Sequence, residues 1–285
     1  MTLRELRYPA DGSIVSVDRL QVDADERLVV FGPNGAGKST LLRLLAGLLP
    51  GADPLNAAYH PQHPHLFRGT AGWNLGLGLD STQQTRARVL ARRFGLDLEV
   101  LDRPARSLSG GERQRLTLAR TLARPEPWLL LDEPLASLDV ADRMGLAGAL
   151  VEGLAGRGSL IVTHDREEAA VLGERMAVMI GGTVVQTGPV AEVFALPVDD
   201  RVARAVGIGN VLDGRAVLTD EPLCAVDGGG IRVWGIGTLP VGASARVLFG
   251  AEAVTLFAGE DAAAGSARNR WSGEVSQVRE LGRLV

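Results

Sequence analysis

Gly32-Pro33-Asn34-Gly35-Ala36-Gly37-Lys38-Ser39-Thr40 is the stretch that decides how this chain is read. Its spacing is G-x-x-x-x-G-K-S, in which glycines let backbone N–H groups converge on a phosphate. The apolar run Leu28-Val29-Val30-Phe31 precedes it and suits a buried strand. Behind it, Leu41, Leu42, Leu44, Leu45 and Leu48 recur at helical spacing until glycines intervene at Gly47 and Gly51. Strand, glycine loop and helix thus follow in the order a phosphate cradle needs, and the helix N-terminus adds partial positive charge. In such a loop Lys38 is predicted to reach the β- and γ-phosphates, and Ser39 to ligate Mg²⁺. Lys38 is the single lysine among 30 basic residues, the others all being arginine. A compact ammonium on a thin stem fits a tight backbone cradle where a planar guanidinium does not.

Two further constellations lie downstream. Leu108-Ser109-Gly110-Gly111-Glu112-Arg113-Gln114-Arg115 leads into helical spacing through Leu116, Leu118, Ala119 and Leu122. Ser109 is placed as the helix N-cap, with Glu112 completing a capping box. Gly110 and Gly111 leave the N–H groups of that helix start open to an anion. Trp128-Leu129-Leu130-Leu131 then runs into Asp132-Glu133-Pro134. An acid at the carboxyl end of an apolar strand sits where open α/β sheets bind ligands. Asp132 is therefore a candidate for holding Mg²⁺ and Glu133 for polarising a water.

These motifs, in this order, resemble the ATPase subunit of ABC transporters over residues 28 to about 188. LSGGERQR at 108–115 resembles the signature, WLLLDEP at 128–134 the Walker B strand, and Ser137-Leu138-Asp139 the D-loop. Gln62, in Tyr59-His60-Pro61-Gln62-His63-Pro64, resembles the Q-loop glutamine, and His164, in Leu160-Ile161-Val162-Thr163-His164-Asp165, the switch histidine. The resemblance implies an α/β P-loop ATPase domain with a helical subdomain at about 67–124. It also implies two copies packed head-to-tail around two ATP molecules. Each ATP would lie on residues 32–40 of one copy and be closed by Ser109, Gly110 and Gly111 of the other. In that picture Glu133 is the general base, His164 contacts the γ-phosphate, and Gln62 senses Mg²⁺ and the attacking water. Asp139 couples the two sites, and Tyr8 takes the position of the aromatic that stacks on adenine or, alternatively, packs at a strand edge. The implied partners are membrane permease subunits at the cytoplasmic face of the cell membrane and, indirectly, a substrate-binding protein.

Composition is compatible with this. The net charge of −4 gives no support for a nucleic-acid partner. Cys224 is the only cysteine, which excludes an intrachain disulfide and fits a reducing compartment. No apolar run approaches the roughly 20 residues of a membrane-spanning helix, and no signal peptide is read at the N-terminus. His60, His63 and His65 fall within six residues, a possible metal set. Two prolines make the stretch an extended loop, so the Q-loop reading is preferred. Arg86, Arg88, Arg92 and Arg93 read as a solvated helix face, or else as a contact for acidic groups on the permease.

Gln62 follows Lys38 by only 24 residues. Typical relatives carry a longer arm with an extra antiparallel hairpin there, so that subdomain is expected to be trimmed. Gly181-Gly182, between Met176–Ile180 and Thr183–Gln186, predicts a hairpin with a primed turn, and 190–196 a closing helix. The first domain is thus placed at 1–207. From 208 to 285 short β-prone runs separated by Gly and Pro predict a small, incomplete OB-like barrel. These runs are Val211-Leu212, Ile231–Trp234, Ala245–Phe249 and Val254–Phe257. Gly209–Gly214 and Val247–Glu252 resemble parts of the regulatory TOBE region of importer ATPases, and Ser266–Val275 the start of a molybdate-binding-type repeat. Relatives importing iron, sulfate, polyamines or sugars share such a start. The reading is an ATP-hydrolysing importer subunit, for molybdate, tungstate or another small oxyanion, with those other solutes as alternatives and a soluble ABC ATPase a third.

Overall fold

A computed structural model describes residues 1–249 and Asn269, apart from the side chains of Val140 and Ala141. The chain forms two compact units, Met1–Val206 and Gly207–Val285.

In the first unit β1 (Thr2–Tyr8), β2 (Val15–Gln21) and β3 (Arg27–Phe31) lead to the glycine loop and helix α1 (Lys38–Leu45). Strand β4 (Ala57–His60) follows, then α2 (Ala71–Gly76) and α3 (Ser81–Arg93). Two short 3-10 turns precede α4 (Gly110–Ala123) and β5 (Trp128–Asp132). The unit closes with α5 (Val140–Leu154), β6 (Gly158–Thr163), α6 (Arg166–Leu172), β7 (Arg175–Ile180), β8 (Thr183–Pro189), α7 (Val190–Ala195) and α8 (Asp200–Ala205). The strands form one sheet in the order β1-β2-β8-β7-β3-β6-β5-β4.

From β7 to β4 all neighbours run parallel. The central strands β3, β5 and β6 are rich in Val, Leu and Ile because both faces are covered. Leu28, Val30, Leu130, Leu160 and Val162 pack with Leu41, Leu42, Leu44 and Leu45 of α1 in the main core. Parallel pairing turns the carboxyl ends of β3, β4, β5 and β6 toward one edge, and every candidate catalytic residue follows one of those ends.

The predicted hairpin is present. Ile180 pairs with Thr183, and Gly181 and Gly182 have φ of 54° and 81°. Both central residues of a type I′ turn need positive φ, which glycine adopts without a Cβ clash. Residues 46–56 contain no strand, in keeping with a trimmed arm, while β1 and β2 supply an antiparallel wing joined to the sheet through β8. Helix α8 was not anticipated; after α7 a second cap forms, with Asp199 accepting from the Val202 N–H. Exposed Arg86, Arg88, Arg92 and Arg93 line the outside of α3, where Arg93 meets Glu152 at 3.4 Å.

The second unit holds an antiparallel sheet in the order β11-β10-β9-β12. Its strands are β9 (Asn210–Asp220), β10 (Leu223–Gly228), β11 (Ile231–Ile236) and β12 (Ser244–Phe249). Ala216, Cys224, Val226 and Ala245 form its small core. Three of the β-prone runs lie in β9, β11 and β12; β10 was missed. Asn269 uses its side-chain amide on both backbone groups of Trp234 in the edge strand β11, at 2.6 and 2.8 Å. The expected elements over 250–257 and the rest of the 266–275 repeat lie outside the described residues.

Candidate active site

The glycine loop leaves β3 in a conformation only glycine tolerates. Gly32 has φ of 151°, and a Cβ there would stand 2.1 Å from the Met179 carbonyl oxygen. Gly37 caps α1 from the left-handed region, with φ of 91°. Pro33, Asn34 and Gly35 are exposed, whereas Lys38 is buried. Its Nζ donates to the carbonyls of Gly32 at 2.7 Å and Pro33 at 2.8 Å. Burial pushes the Lys38 pKa down, against the upward pull of Glu133 and Asp132. An anion in the cradle would relieve that cost by pairing with the ammonium.

Across the sheet edge, Ser39 Oγ donates to Asp132 Oδ1 at 2.8 Å. Tyr59 OH approaches Asp132 Oδ2 at 3.4 Å. Burial raises the Asp132 pKa, opposed by the Ser39 hydrogen bond and the Arg43 charge. A buried carboxylate beside a hydroxyl is an all-oxygen donor pair, the type that suits a hard divalent cation such as Mg²⁺. A cation there would also favour the ionised carboxylate. The residues present therefore fit that ion.

Glu133 is held at both carboxylate oxygens. Gln62 Nε2 donates to Oε2 at 2.9 Å, and His164 Nδ1 lies 3.0 Å from Oε1. Its backbone has φ of 47°, a region that strains a non-glycine residue by about 1–3 kcal/mol. The Glu133 N–H is tied to the Val162 carbonyl at 2.9 Å. Gln62, Glu133 and His164 come from the ends of three adjacent strands, β4, β5 and β6, and converge on one point.

The signature segment forms the expected capping box. Ser109 Oγ accepts from the Glu112 N–H at 3.1 Å, and Glu112 Oε2 accepts from the Ser109 N–H at 2.7 Å. Ser109 and Gly110 are exposed. Gly111 lies against the D-loop of its own chain, where an added Cβ would stand 3.3 Å from Leu138 Cδ2. Asp139 is exposed at the N-cap of α5 and makes no capping hydrogen bond through its side chain. Tyr8, at the end of β1, is half-buried against the main core, and its ring edge lies near Gly51.

The three neighbouring histidines diverge. His60 is fully buried, whereas His63 and His65 are exposed, and no metal-binding cluster forms among the described residues. The sequence reading passed over Tyr59, Arg43 and Gln114. Tyr59 stood in the quoted Q-loop stretch, but nothing in its spacing announced that β4 would pair with β5 and aim it at Asp132.

A glycine loop under β3, an acid pair after β5 and a histidine after β6 define the site of a P-loop ATPase. The ABC transporter family profile matches residues 16–136. The molybdate/tungstate import ATP-binding protein WtpC of Pyrococcus abyssi is 35% identical, over 93% of this chain and 81% of that one. The Fe(3+) ions import ATP-binding protein FbpC of Streptomyces avermitilis is 38% identical, over 73% of this chain and 67% of its own length. The spermidine/putrescine import ATP-binding protein PotA of Spiroplasma citri is 32% identical, over 80% and 72% respectively. A bacterial Atm1-family ABC exporter with ATP bound shares the fold at a TM-score of 0.63 and 24% identity, covering 72% of this chain and 41% of that one. The chain belongs to the ABC transporter family as an ATP-binding subunit, an ATPase whose hydrolysis is coupled to transport.

Proposed function

We propose that this chain is the energy-coupling ATPase of an importer for molybdate, tungstate or another small oxyanion. The observation that carries the substrate class is the alignment with the Pyrococcus abyssi molybdate/tungstate protein, which runs through 93% of this chain. Ferric iron is the second reading, favoured by the higher identity, 38%, of the shorter match to the Streptomyces avermitilis iron protein.

The nucleotide's phosphates would lie on the backbone of Gly32 to Thr40, with Lys38 swinging from its carbonyl partners toward the β- and γ-oxygens. Ser39, Asp132 and Gln62 would hold Mg²⁺, whose charge, when bound, neutralises the phosphate oxygens. Glu133 acts as the general base, taking a proton from the water that attacks the γ-phosphorus. Gln62 and His164 orient its carboxylate, and His164 also reaches the γ-phosphate. Ser109, Gly110 and Gly111 close the site on a second copy, to which the exposure of Ser109 and Gly110 suits them. Asp139 couples the two sites at that interface, and Tyr8 meets the adenine.

No helix among the described residues is long and apolar enough to cross a membrane. Attachment to the cytoplasmic face of the membrane would therefore run through a permease. A groove beside the Q-loop, lined by His65, Phe67, Arg68, Arg106 and Arg113, suits an acidic, partly apolar cytoplasmic segment of that permease. The test is recovery of the complex from native membranes and its ATPase rate in liposomes with its substrate-capturing protein. Stimulation by molybdate or tungstate is expected. Stimulation by ferric iron alone moves the assignment to the second reading, and hydrolysis indifferent to every solute overturns coupling to import.

A further inference from the structure

The strained backbone at Glu133 persists only if its surroundings over-determine it. The side-chain contacts of Gln62 and His164 fix the carboxylate, but the carbonyl of the next residue also has a holder. Gln114 Nε2, on α4, donates to the Pro134 carbonyl at 2.7 Å. The same nitrogen lies 3.1 Å from His60 Nε2. Both His60 and Gln114 are buried, at 0% and 1% exposure.

The donor inventory leaves one arrangement. An amide –NH₂ has two hydrogens, so Gln114 can give one to Pro134 and the other to His60. Turning the amide over would set two oxygens against each other at the Pro134 contact. His60 Nε2 is therefore an acceptor, and the ring proton sits on Nδ1. That atom faces Thr121 Oγ1 at a long 3.4 Å, and Thr121 passes its own hydrogen to the Thr117 carbonyl at 3.0 Å. Every donor along the chain finds an acceptor.

We infer that His60 is a positioning residue for hydrolysis: it orients Gln114, which holds the Pro134 carbonyl and so keeps Glu133 aimed at the attacking water. One strand then grips the base twice, through Gln62 directly and through His60 by way of the signature helix. The third and largest partner in the network is α4 itself, which carries the exposed signature turn about one turn before Gln114. Movement of that helix would reach Glu133 through Gln114.

This rests on Glu133 as the base, and the experiment separates the two. Steady-state ATPase of the purified chain is measured for His60→Leu, His60→Gln, Gln114→Leu and the His60→Leu/Gln114→Leu double variant, with Glu133→Gln alongside. His60→Leu is expected to lower kcat about 10-fold with KM for ATP unchanged, which is the signature of lost transition-state positioning. His60→Gln, whose Oε1 can replace the Nε2 lone pair, is expected to recover most of that rate. The double variant is expected to be no slower than Gln114→Leu, because residues acting through one partner are non-additive. Parental kcat in His60→Leu, equal rates in the Leu and Gln variants, or additive losses would overturn the inference. If His60→Leu does not fold, His60→Asn serves instead, since its shorter amide falls short of Gln114; an Asn variant as fast as the Gln one overturns it equally. A Glu133→Gln variant that hydrolyses at the parental rate removes the base assignment itself, whatever the His60 series shows.

Discussion

The strand-end edge and the signature turn are opposite kinds of site. At the edge, Ser39 meets Asp132, Gln62 and His164 meet Glu133, and Lys38 meets two backbone carbonyls, all within one chain. At the turn, Ser109 and Gly110 are exposed, and the Ser109 hydroxyl is used in its own helix's capping box. The first region is assembled by the fold and needs ligand. The second is held by local capping and presents its helix N-terminus outward, the contrast expected if the turn closes on a second copy as proposed.

The largest effect should come from the edge. Glu133→Gln is expected to slow hydrolysis by about 100- to 10,000-fold, the range for loss of a general base, while ATP binding is retained. Size-exclusion chromatography with ATP should then show a trapped dimer. A monomer under those conditions would erase the contrast between the regions.

Gly110→Glu tests the turn. The nearest atom to an added Cβ is the Ser137 carbonyl oxygen at 3.8 Å, so the chain should fold and bind nucleotide normally. Turnover is expected to drop about 100-fold, the scale for spoiling preorganised donors at a developing charge. An ATP-induced dimer at the parental level, seen by light scattering, would show that the turn faces solvent for another reason.

Ser109→Ala should give the smallest effect and sharpen the distinction. Loss of an N-cap costs about 1 kcal/mol, which lowers the Tm by about 2–4 °C in a domain of this size. Differential scanning calorimetry reads this directly. Turnover falling much further than that stability loss accounts for would place the hydroxyl in the closed site as well as in the cap.

Much of this was legible in order along the chain. The glycine loop, the capping box and the Gly181-Gly182 turn are local devices, whose residues lie within a few positions of one another, and each formed where its pattern put it. The acid after β5 and the histidine after β6 could be named because apolar runs end at them. Other parts were written in no local pattern. His60 looked like one of three clustered histidines until β4 paired with β5 and drew it inward, away from exposed His63 and His65. Gln114 stood inside the quoted signature stretch with no role of its own until α4 packed over that strand. Strand β10 was overlooked because Leu223–Gly228 is short and follows a proline, and its place comes from pairing with β9 and β11.

The sequence by itself determined the phosphate loop, its helix, the signature cap and the identity of the acid and histidine, because each depends on φ preferences, capping chemistry or apolar runs that act over a few residues. Only the tertiary structure decided that Gln62, Glu133 and His164 meet, and that His60 and Gln114 stand behind them. Those contacts span from 20 to 71 residues of chain, and only parallel strand pairing, with the packing of α4 on it, brings such distant groups within hydrogen-bonding distance.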